Sequence, residues 1–171
     1  FEGNITSPNF ISKFEEFLGE MSEVEFVGVN QDGSLNQSGT LNLSKISKLI
    51  LSNEKVIEDI NDKYDLLITD NDNNFIPDNQ TQIEAMIKYG IDNGISSDGE
   101  YSFDPLWFQR YFWYNQELDN DYTSILMVFL SGTRTEDDVS KVRNEITKLV
   151  NEYNFEKDGV NVGITGSPFS R

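Results

Sequence analysis

The alternation of apolar and polar positions is most regular in the C-terminal part of the chain. A nearly continuous apolar run at 124–130 is typical of a strand that is covered on both faces. Thr135 and Asp138 then form a capping-box sequence at the start of a helix. The following apolar positions recur about every 3.6 residues, which predicts that this helix covers 136–153; they are Val139, Val142, Ile146, Leu149, Val150 and Tyr153. Strict alternation over 160–165 predicts a second strand.

The N-terminal part begins with a second well-marked helix. Ser7 is a typical N-cap and Pro8 a typical first helical residue. One apolar stripe follows and predicts a helix over 8–21; it consists of Phe10, Ile11, Phe14, Phe17, Leu18 and Met21. A short apolar segment at 24–29 predicts a strand directly after this helix.

A long amphipathic helix is predicted over 43–61, because apolar residues recur there at helical spacing. The pair Ser52-Asn53 could divide it in two, since both residue types favour helix ends over helix interiors. The apolar residues within 65–69 then predict a short buried strand.

These elements suggest one fold. Strand, helix and strand occur at 24–69 and again at 123–166, and two such units form an α+β ferredoxin-like split βαβ sandwich. We therefore expect a single domain over 1–171, with 24–69 and 123–166 as its core. The N-terminal helix 8–21 and a mostly helical insertion at 70–122 would cover the second face of the sheet. In the insertion, Thr81 with Glu84 predicts a capped helix.

The C-terminal strand ends in Thr165, Gly166, Ser167 and Pro168, preceded by Val162 and Ile164. With the order of elements before it, this ending resembles the extracytoplasmic porter domain of RND-superfamily exporters, of the MMPL and hydrophobe/amphiphile branch. The resemblance implies a ferredoxin-like porter domain of a proton-driven exporter of hydrophobic or amphiphilic molecules. It also implies a parent in the cell membrane, with this domain on the extracytoplasmic side. Its partners would be the parent's own membrane helices, a second porter domain and, in an oligomeric parent, further copies.

Composition removes several classes of function. The chain has no cysteine and no histidine, which excludes disulfides, the usual zinc sites and histidine-dependent nucleophilic catalysis. Its net charge of -17 makes nucleic acid an improbable partner, because phosphate binding needs a basic surface. The acidic residues are expected to form a solubilising exterior, with a cation-selective funnel as the alternative. No apolar run approaches the ~20 residues of a membrane span, and both ends are interpreted as cuts beside removed membrane helices.

The segment 107–114 carries the densest set of aromatic residues. We interpret it as a helix buried between the sheet and a neighbouring element. The alternative is an apolar surface for cargo, another subunit or the outer leaflet, since exposed aromatic patches mark binding sites. The candidate surface residues are Trp107, Phe108, Tyr111, Phe112, Trp113 and Tyr114.

An acidic loop has part of a calcium-binding pattern. Asp70, Asp72 and Asn74 have EF-hand spacing, but Phe75 replaces the required glycine and Thr81 the final glutamate. We therefore expect a solvated loop, and predict neither metal nor cofactor. The numerous carboxylate pairs are best explained as exposed helix faces, so no catalytic residue is predicted and the chain is not expected to be an enzyme.

Two further functions remain open at this point. One is an extracellular ligand-binding or sensor module, since a ferredoxin-like scaffold does not fix function. The other is a carboxylate-dependent hydrolase. Membrane helices on both sides of the domain would favour the exporter, and one helix with a cytoplasmic signalling domain would favour the sensor. Sequons at Asn4, Asn36, Asn42 and Asn79 are compatible with placement outside the cell.

Overall fold

A computed structural model describes residues 1–96, 102–118 and 121–166. This part of the chain is an α+β structure with a four-stranded antiparallel sheet, a separate two-stranded sheet and several helices. The helices are α1 (Pro8–Met21), α2 (Leu43–Leu51), α3 (Glu54–Tyr64), α4 (Gln80–Asn93), α5 (Pro105–Phe108) and α6 (Glu136–Tyr153). The strands are β1 (Glu2–Gly3), β2 (Ile95–Ser96), β3 (Ser102–Phe103), β4 (Phe112–Tyr114), β5 (Tyr122–Ser124) and β6 (Val160–Asn161). No described helix has both the length and the apolar character that a bilayer crossing requires.

The main sheet has the strand order β4-β5-β1-β6, and all neighbouring strands are antiparallel. β1 is the central link, because Glu2 lies opposite Thr123 on one side and opposite Asn161 on the other. β2 and β3 form a separate two-stranded pair. The N-terminal residues therefore join two segments that are distant in sequence.

The sheet is extended at one end by a segment that is not itself a strand. Val27 forms an antiparallel bridge with Leu130. The Gly28 amide donates to the Phe129 carbonyl at 2.7 Å, and the Ser131 amide donates to the Phe26 carbonyl at 2.8 Å. Residues 26–28 thus pair with 129–131. They lie on the edge of the segment 122–131 that faces away from β1.

The two best-marked helices are confirmed. α1 covers Pro8–Met21 with Ser7 as its cap, and α6 covers Glu136–Tyr153 with the Thr135–Asp138 capping box formed in both directions. The division at Ser52-Asn53 is also confirmed, because Asn53 caps α3 through its side chain. The cap predicted at Thr81 is wrong: the N-cap is Asn79, two residues earlier, and α4 begins at Gln80.

The first predicted βαβ unit is wrong. At 24–29 the chain forms only isolated bridges at Val27 and Val29, and Phe26 has a positive φ of 73°, which interrupts an extended strand. At 65–69 no strand forms, because side chains bind the backbone instead. Asn61 accepts from the Ile68 amide, and Gln82 bonds the backbone of Leu67 and Thr69.

Both predicted C-terminal strands are shorter than expected. β5 covers Tyr122–Ser124 and shares only Ser124 with the predicted strand 124–131, and β6 covers only Val160–Asn161 of the predicted 160–165. The apolar run is also not covered on both faces, since none of residues 125–130 is fully buried. Its exposed side chains include Ile125 at 45% and Met127 at 42% exposure.

An aromatic cluster joins the N-terminus, α1 and the turn after α6. The Phe1 ring contacts the rings of Phe10, Phe14, Phe17 and Phe155 at centroid distances of 6.0, 5.3, 5.9 and 5.4 Å. Edge-to-face pairs of this kind stabilise a core by about 0.5–1.5 kcal/mol each beyond their area burial. This cluster packs the sheet against α1.

Candidate functional site

The aromatic segment does not form the single helix that its sequence predicts. α5 ends at Phe108, and the chain then enters the edge strand β4 at Phe112. Phe108, Tyr111 and Phe112 are buried. Phe108 packs so tightly on α4 that a Cβ at Gly90 would lie 2.2 Å from its Cζ. Three of the six candidate residues therefore belong to the core.

The other three aromatic residues lie in different surroundings. Trp113 is 57% exposed on β4. Trp107 is half-buried and stacks with Arg110 at 4.5 Å, and its buried Nε1 has no acceptor among the described residues. Tyr114 stacks on Tyr122 with 5.9 Å between ring centroids. The six residues are thus divided between core, edge strand and cleft, and do not form one surface.

A polar cleft of about 300 Å³ lies beside Tyr114. Its lining comes from the first turns of α4 and from the chain between β4 and β5; it comprises Gln80, Thr81, Glu84, Lys88, Tyr114, Asn115, Gln116, Leu118 and Tyr122. The Lys88 ammonium lies 5.6 Å from the centre of the Tyr114 ring. The cleft therefore pairs an amphipathic aromatic ring with mixed charges.

A larger cleft of about 520 Å³ lies beside α1 and α6. Its apolar lining residues are Val24, Phe26, Val142 and Leu149, and its charged ones are Glu20, Glu23, Glu25, Glu145 and Lys141. Nearby on α6, the pKa of Tyr153 is raised to about 12, first by burial and then by a hydrogen bond with Glu20 and the charge of Glu16. Four of the five charged residues that line this cleft are glutamates, so it suits a ligand with a cationic group and an apolar body.

The acidic loop brings three carboxylates together. Oxygen atoms of Asp70, Asp72 and Asp78 all lie within 4.8 Å of one another. The loop is closed by its own backbone, because Asp70 accepts from the Asn74 and Phe75 amides at 3.1 and 3.0 Å. These bonds give the Asp70 carboxylate a role in closing the loop.

Sequence reasoning missed one site, the strip of residues 125–130 defined here as the open strip. Exposure alternates along its first half, from exposed Ile125 to half-buried Leu126 and exposed Met127. The Gln37 side chain donates to the Met127 carbonyl at 2.5 Å. The apolar run itself is a visible signal in the sequence, but its pattern predicts a strand covered on both faces.

A sequon also has a structural role. Asn42 is buried, at 3% exposure, and its side chain caps α2 by accepting from the Lys45 amide at 2.9 Å. Asn79 likewise caps α4. Asn42 therefore cannot carry a glycan in this fold.

A scan of the chain against protein-family models finds no match, and searches of curated proteins and of solved structures find none either.

Proposed function

We propose that this chain is an extracytoplasmic porter domain of an RND-superfamily exporter of hydrophobic or amphiphilic molecules. The observation that carries the proposal is the interleaving of two crossover connections in one sheet. α1 connects β1 to the paired segment 26–28, and α6 connects β5 to β6. The segment order across the sheet is therefore 160–161, 2–3, 122–131 and 26–28, with antiparallel neighbours at each described pairing.

Two interleaved βαβ units in an antiparallel sheet define the ferredoxin-like fold, and we propose this fold for the core. The first unit uses α1 rather than the predicted helix at 43–61. Residues between 31 and 121, which contain α2 to α5, then form one long insertion between the two units. The resemblance of the C-terminal unit to RND porter domains supports the same assignment, with Val162, Ile164, Thr165 and Gly166 at its end. Ser167 and Pro168 of that motif lie outside the described residues.

The exposed apolar residues support contact with another part of an exporter. Ile125 and Met127 are exposed next to one another on the open strip, at 45% and 42%. Exposed apolar patches mark interaction sites, and a second porter domain of the parent would cover them. By the resemblance, proton flux through membrane helices rearranges such domains and moves cargo through the clefts between them. No side chain of this domain needs to react.

The parent polypeptide provides the test. We expect an apolar helix before residue 1 and several after residue 171, and export of Nile red, a fluorescent amphiphile, from cells that produce the parent. Met127→Asp is expected to reduce export, because a charge would be buried at the domain contact. Leu67→Asp places the same charge at another exposed apolar position, 67% exposed, and should leave export unchanged. A parent without membrane helices, or without export, would refute the assignment.

The cleft beside α1 and α6 favours a second candidate, an extracellular ligand-binding or sensor module. Its mixture of Glu23 and Glu145 with apolar Val142 and Leu149 suits a cationic amphiphile. Calorimetry with dodecyltrimethylammonium should then detect binding that the double change Glu23→Gln and Glu145→Gln weakens, while dodecyl sulfate should not bind. A parent with one membrane helix and a cytoplasmic signalling domain would favour this candidate over the exporter.

A further inference from the structure

The open strip has a regular pattern of paired and unpaired backbone groups. On the side that faces away from β1, the Ile125 amide donates to the Tyr111 carbonyl at 2.9 Å. On the same side, the carbonyls of Met127 and Phe129 accept from Gln37 and Gly28. Every second residue of the strip is thus bonded toward its outer neighbours.

The alternate residues of the strip, at 126, 128 and 130, have no described hydrogen-bond partner for their backbone groups. Phe1 and Ser124 exchange backbone hydrogen bonds of 3.1 and 2.9 Å, so Ser124 points its backbone groups toward β1. In an antiparallel ladder, the backbone groups of every second residue point to the same side. The backbone groups of Leu126, Val128 and Leu130 therefore also point toward β1. Among the described residues, none receives a hydrogen bond from the amides of these three and none donates one to their carbonyls.

The opposite flank repeats this pattern. Glu2 lies opposite Asn161, and the same two-residue repeat directs the backbone of Gly163 and Thr165 toward the space beside 125–130. Within the part of the chain that the structure describes, the Gly163 and Thr165 backbones have no hydrogen-bond partner either. By contrast, the Ile164 carbonyl points the other way and accepts from Arg143 at 3.1 Å. The backbone groups of the open strip and those of Gly163 and Thr165 therefore face the same space, and no described segment bonds to either row.

The space between these rows is continuous with β1. Glu2 lies opposite both Thr123 and Asn161. Because both pairings are antiparallel, each residue before Glu2 lies opposite one residue further along after Thr123 and after Asn161. The position before Phe1 falls opposite Ile125 and Gly163. β1 therefore occupies only the C-terminal end of a longer strand position, and the rest of that position lies between 125–130 and 162–165.

We propose that this slot, between 125–130 and 162–165, is filled by an extended segment of the parent polypeptide joined to Phe1. The segment continues β1 and forms antiparallel ladders with both flanks. An unpaired strand edge in an apolar run is otherwise a site of uncontrolled association, and burial of unpaired backbone groups is unfavourable. The inference rests on the proposed function only in assuming that the parent chain continues ahead of Phe1.

The side-chain pattern of the occupant follows from that of its neighbours. The Phe1 ring packs in the aromatic cluster. The half-buried side chains on the same face of the two flanks pack against the hydrophobic core; they are Leu126, Val128, Val162 and Ile164. Side chains of adjacent antiparallel strands at opposed positions share a face. The occupant should therefore be apolar at the second, fourth and sixth positions before Phe1.

The burial of the N-terminus agrees with this arrangement. The Phe1 nitrogen donates to the Ser124 carbonyl inside the sheet, and burial lowers the pKa of its ammonium against the weaker opposing effect of Glu2. A peptide amide in the same place would make this hydrogen bond without a charge.

Two matched extensions ahead of Phe1 test the proposal. The in-phase extension, Val-Thr-Val-Thr-Val-Thr, places valine at the inward positions. The control, Thr-Val-Thr-Val-Thr-Val, has the same composition but points every side chain to the other face. Amide hydrogen exchange at Leu126, Val128 and Leu130 should slow at least about tenfold for the in-phase extension only. Exchange within α6 shows in each protein that the domain is folded.

Equal exchange in the extended and unextended chains, or equal protection by both extensions, would overturn the slot. The source of the strand is tested by starting the parent polypeptide six residues before Phe1 in its own reading frame. We expect protection like that of the in-phase extension. Protection by the in-phase extension but not by the parent's own residues would overturn the choice of occupant. These outcomes do not depend on export, so failure of the exporter assignment remains distinguishable.

Discussion

Phe1 and Ser124 exchange two backbone hydrogen bonds, although 123 positions separate them in the sequence. The Phe1 ring meanwhile contacts Phe14 edge-on at 5.3 Å. The first residue thus belongs to both the sheet and the aromatic core. Changes at this position should consequently affect the stability of the whole domain.

The Phe1 amine is expected to make stability depend on pH. Burial lowers the pKa of its ammonium below the ordinary value of 8.0, so below pH 8 the unfolded chain binds the proton more tightly than the folded chain. The free energy of unfolding should therefore rise as pH increases toward about 8 and should not change further from this cause. Urea unfolding at pH 6 and pH 8.5 measures the difference.

Acetylation of the Phe1 amine is the control for this prediction. It removes the charge and retains an N–H donor. The chain has no histidine or cysteine, the side chains whose ordinary pKa values lie in or near this range. The acetylated protein should be more stable at pH 6 and should show little change between the two pH values. An unchanged pH dependence would contradict the assignment to Phe1.

Gly90→Ala should destabilise the contact between α4 and α5. The added Cβ would lie 2.2 Å from Phe108 Cζ, and overpacking of this kind costs about 1–3 kcal/mol of unfolding free energy. Gly19→Ala in α1 is the matched control, because nothing lies within 4 Å of its Cβ position. That change should stabilise the protein by about 0.5–1 kcal/mol through helix propensity. Equal effects of the two changes in urea unfolding would contradict the close contact.

Phe155→Ala should remove the centre of the aromatic cluster. The Phe155 ring packs against Phe1, Phe10, Phe17 and Tyr153 at 5.3 to 5.7 Å. Truncation of a buried phenylalanine costs about 3–5 kcal/mol, and thermal and urea unfolding can measure this loss. Leu67→Ala, at a residue that is 67% exposed, should change stability by no more than about 0.5 kcal/mol. A small effect at Phe155 would mean that the cluster is not part of the stabilising core.

Gln82→Leu should release the loop that the sequence predicts as a strand. The Gln82 side-chain oxygen accepts from the Thr69 and Asp78 amides at 3.1 and 3.2 Å. Loss of this acceptor should cost about 1–3 kcal/mol and should speed hydrogen exchange at both amides. Gln31→Leu, at an exposed position, serves as the control. Unaltered exchange at Thr69 and Asp78 would show that Gln82 does not hold the loop.

Contacts between residues close in sequence specify the elements that were predicted correctly, and contacts between distant residues account for those that were not. Helices α1 and α6 were predicted with the correct bounds, since Ser7 and Thr135 cap them through residues three positions away. The strand at 65–69 failed for a non-local reason. Gln82, which lies on α4, takes the hydrogen bonds that a strand partner would have made.

The aromatic candidates show the same limit. Their sequence shows a dense set of large rings, but not which of them enter the core. Phe108 is buried because Gly90 leaves room for its ring on α4, whereas Trp113 is exposed on the edge strand. Neither the burial of Phe108 nor the exposure of Trp113 can be predicted from the spacing of residues within 107–114.

The sequence by itself determined the α+β class, the acidic character and the principal helices. Helical hydrogen bonds and caps join residues three or four positions apart, so a local pattern suffices to specify them. Only the tertiary structure decided that β1 lies between β5 and β6, and that the open strip has no described neighbour on the side that faces β1. The residues of β1 pair with residues more than a hundred positions away, and the apolar pattern of one strand does not identify the strand that pairs with it.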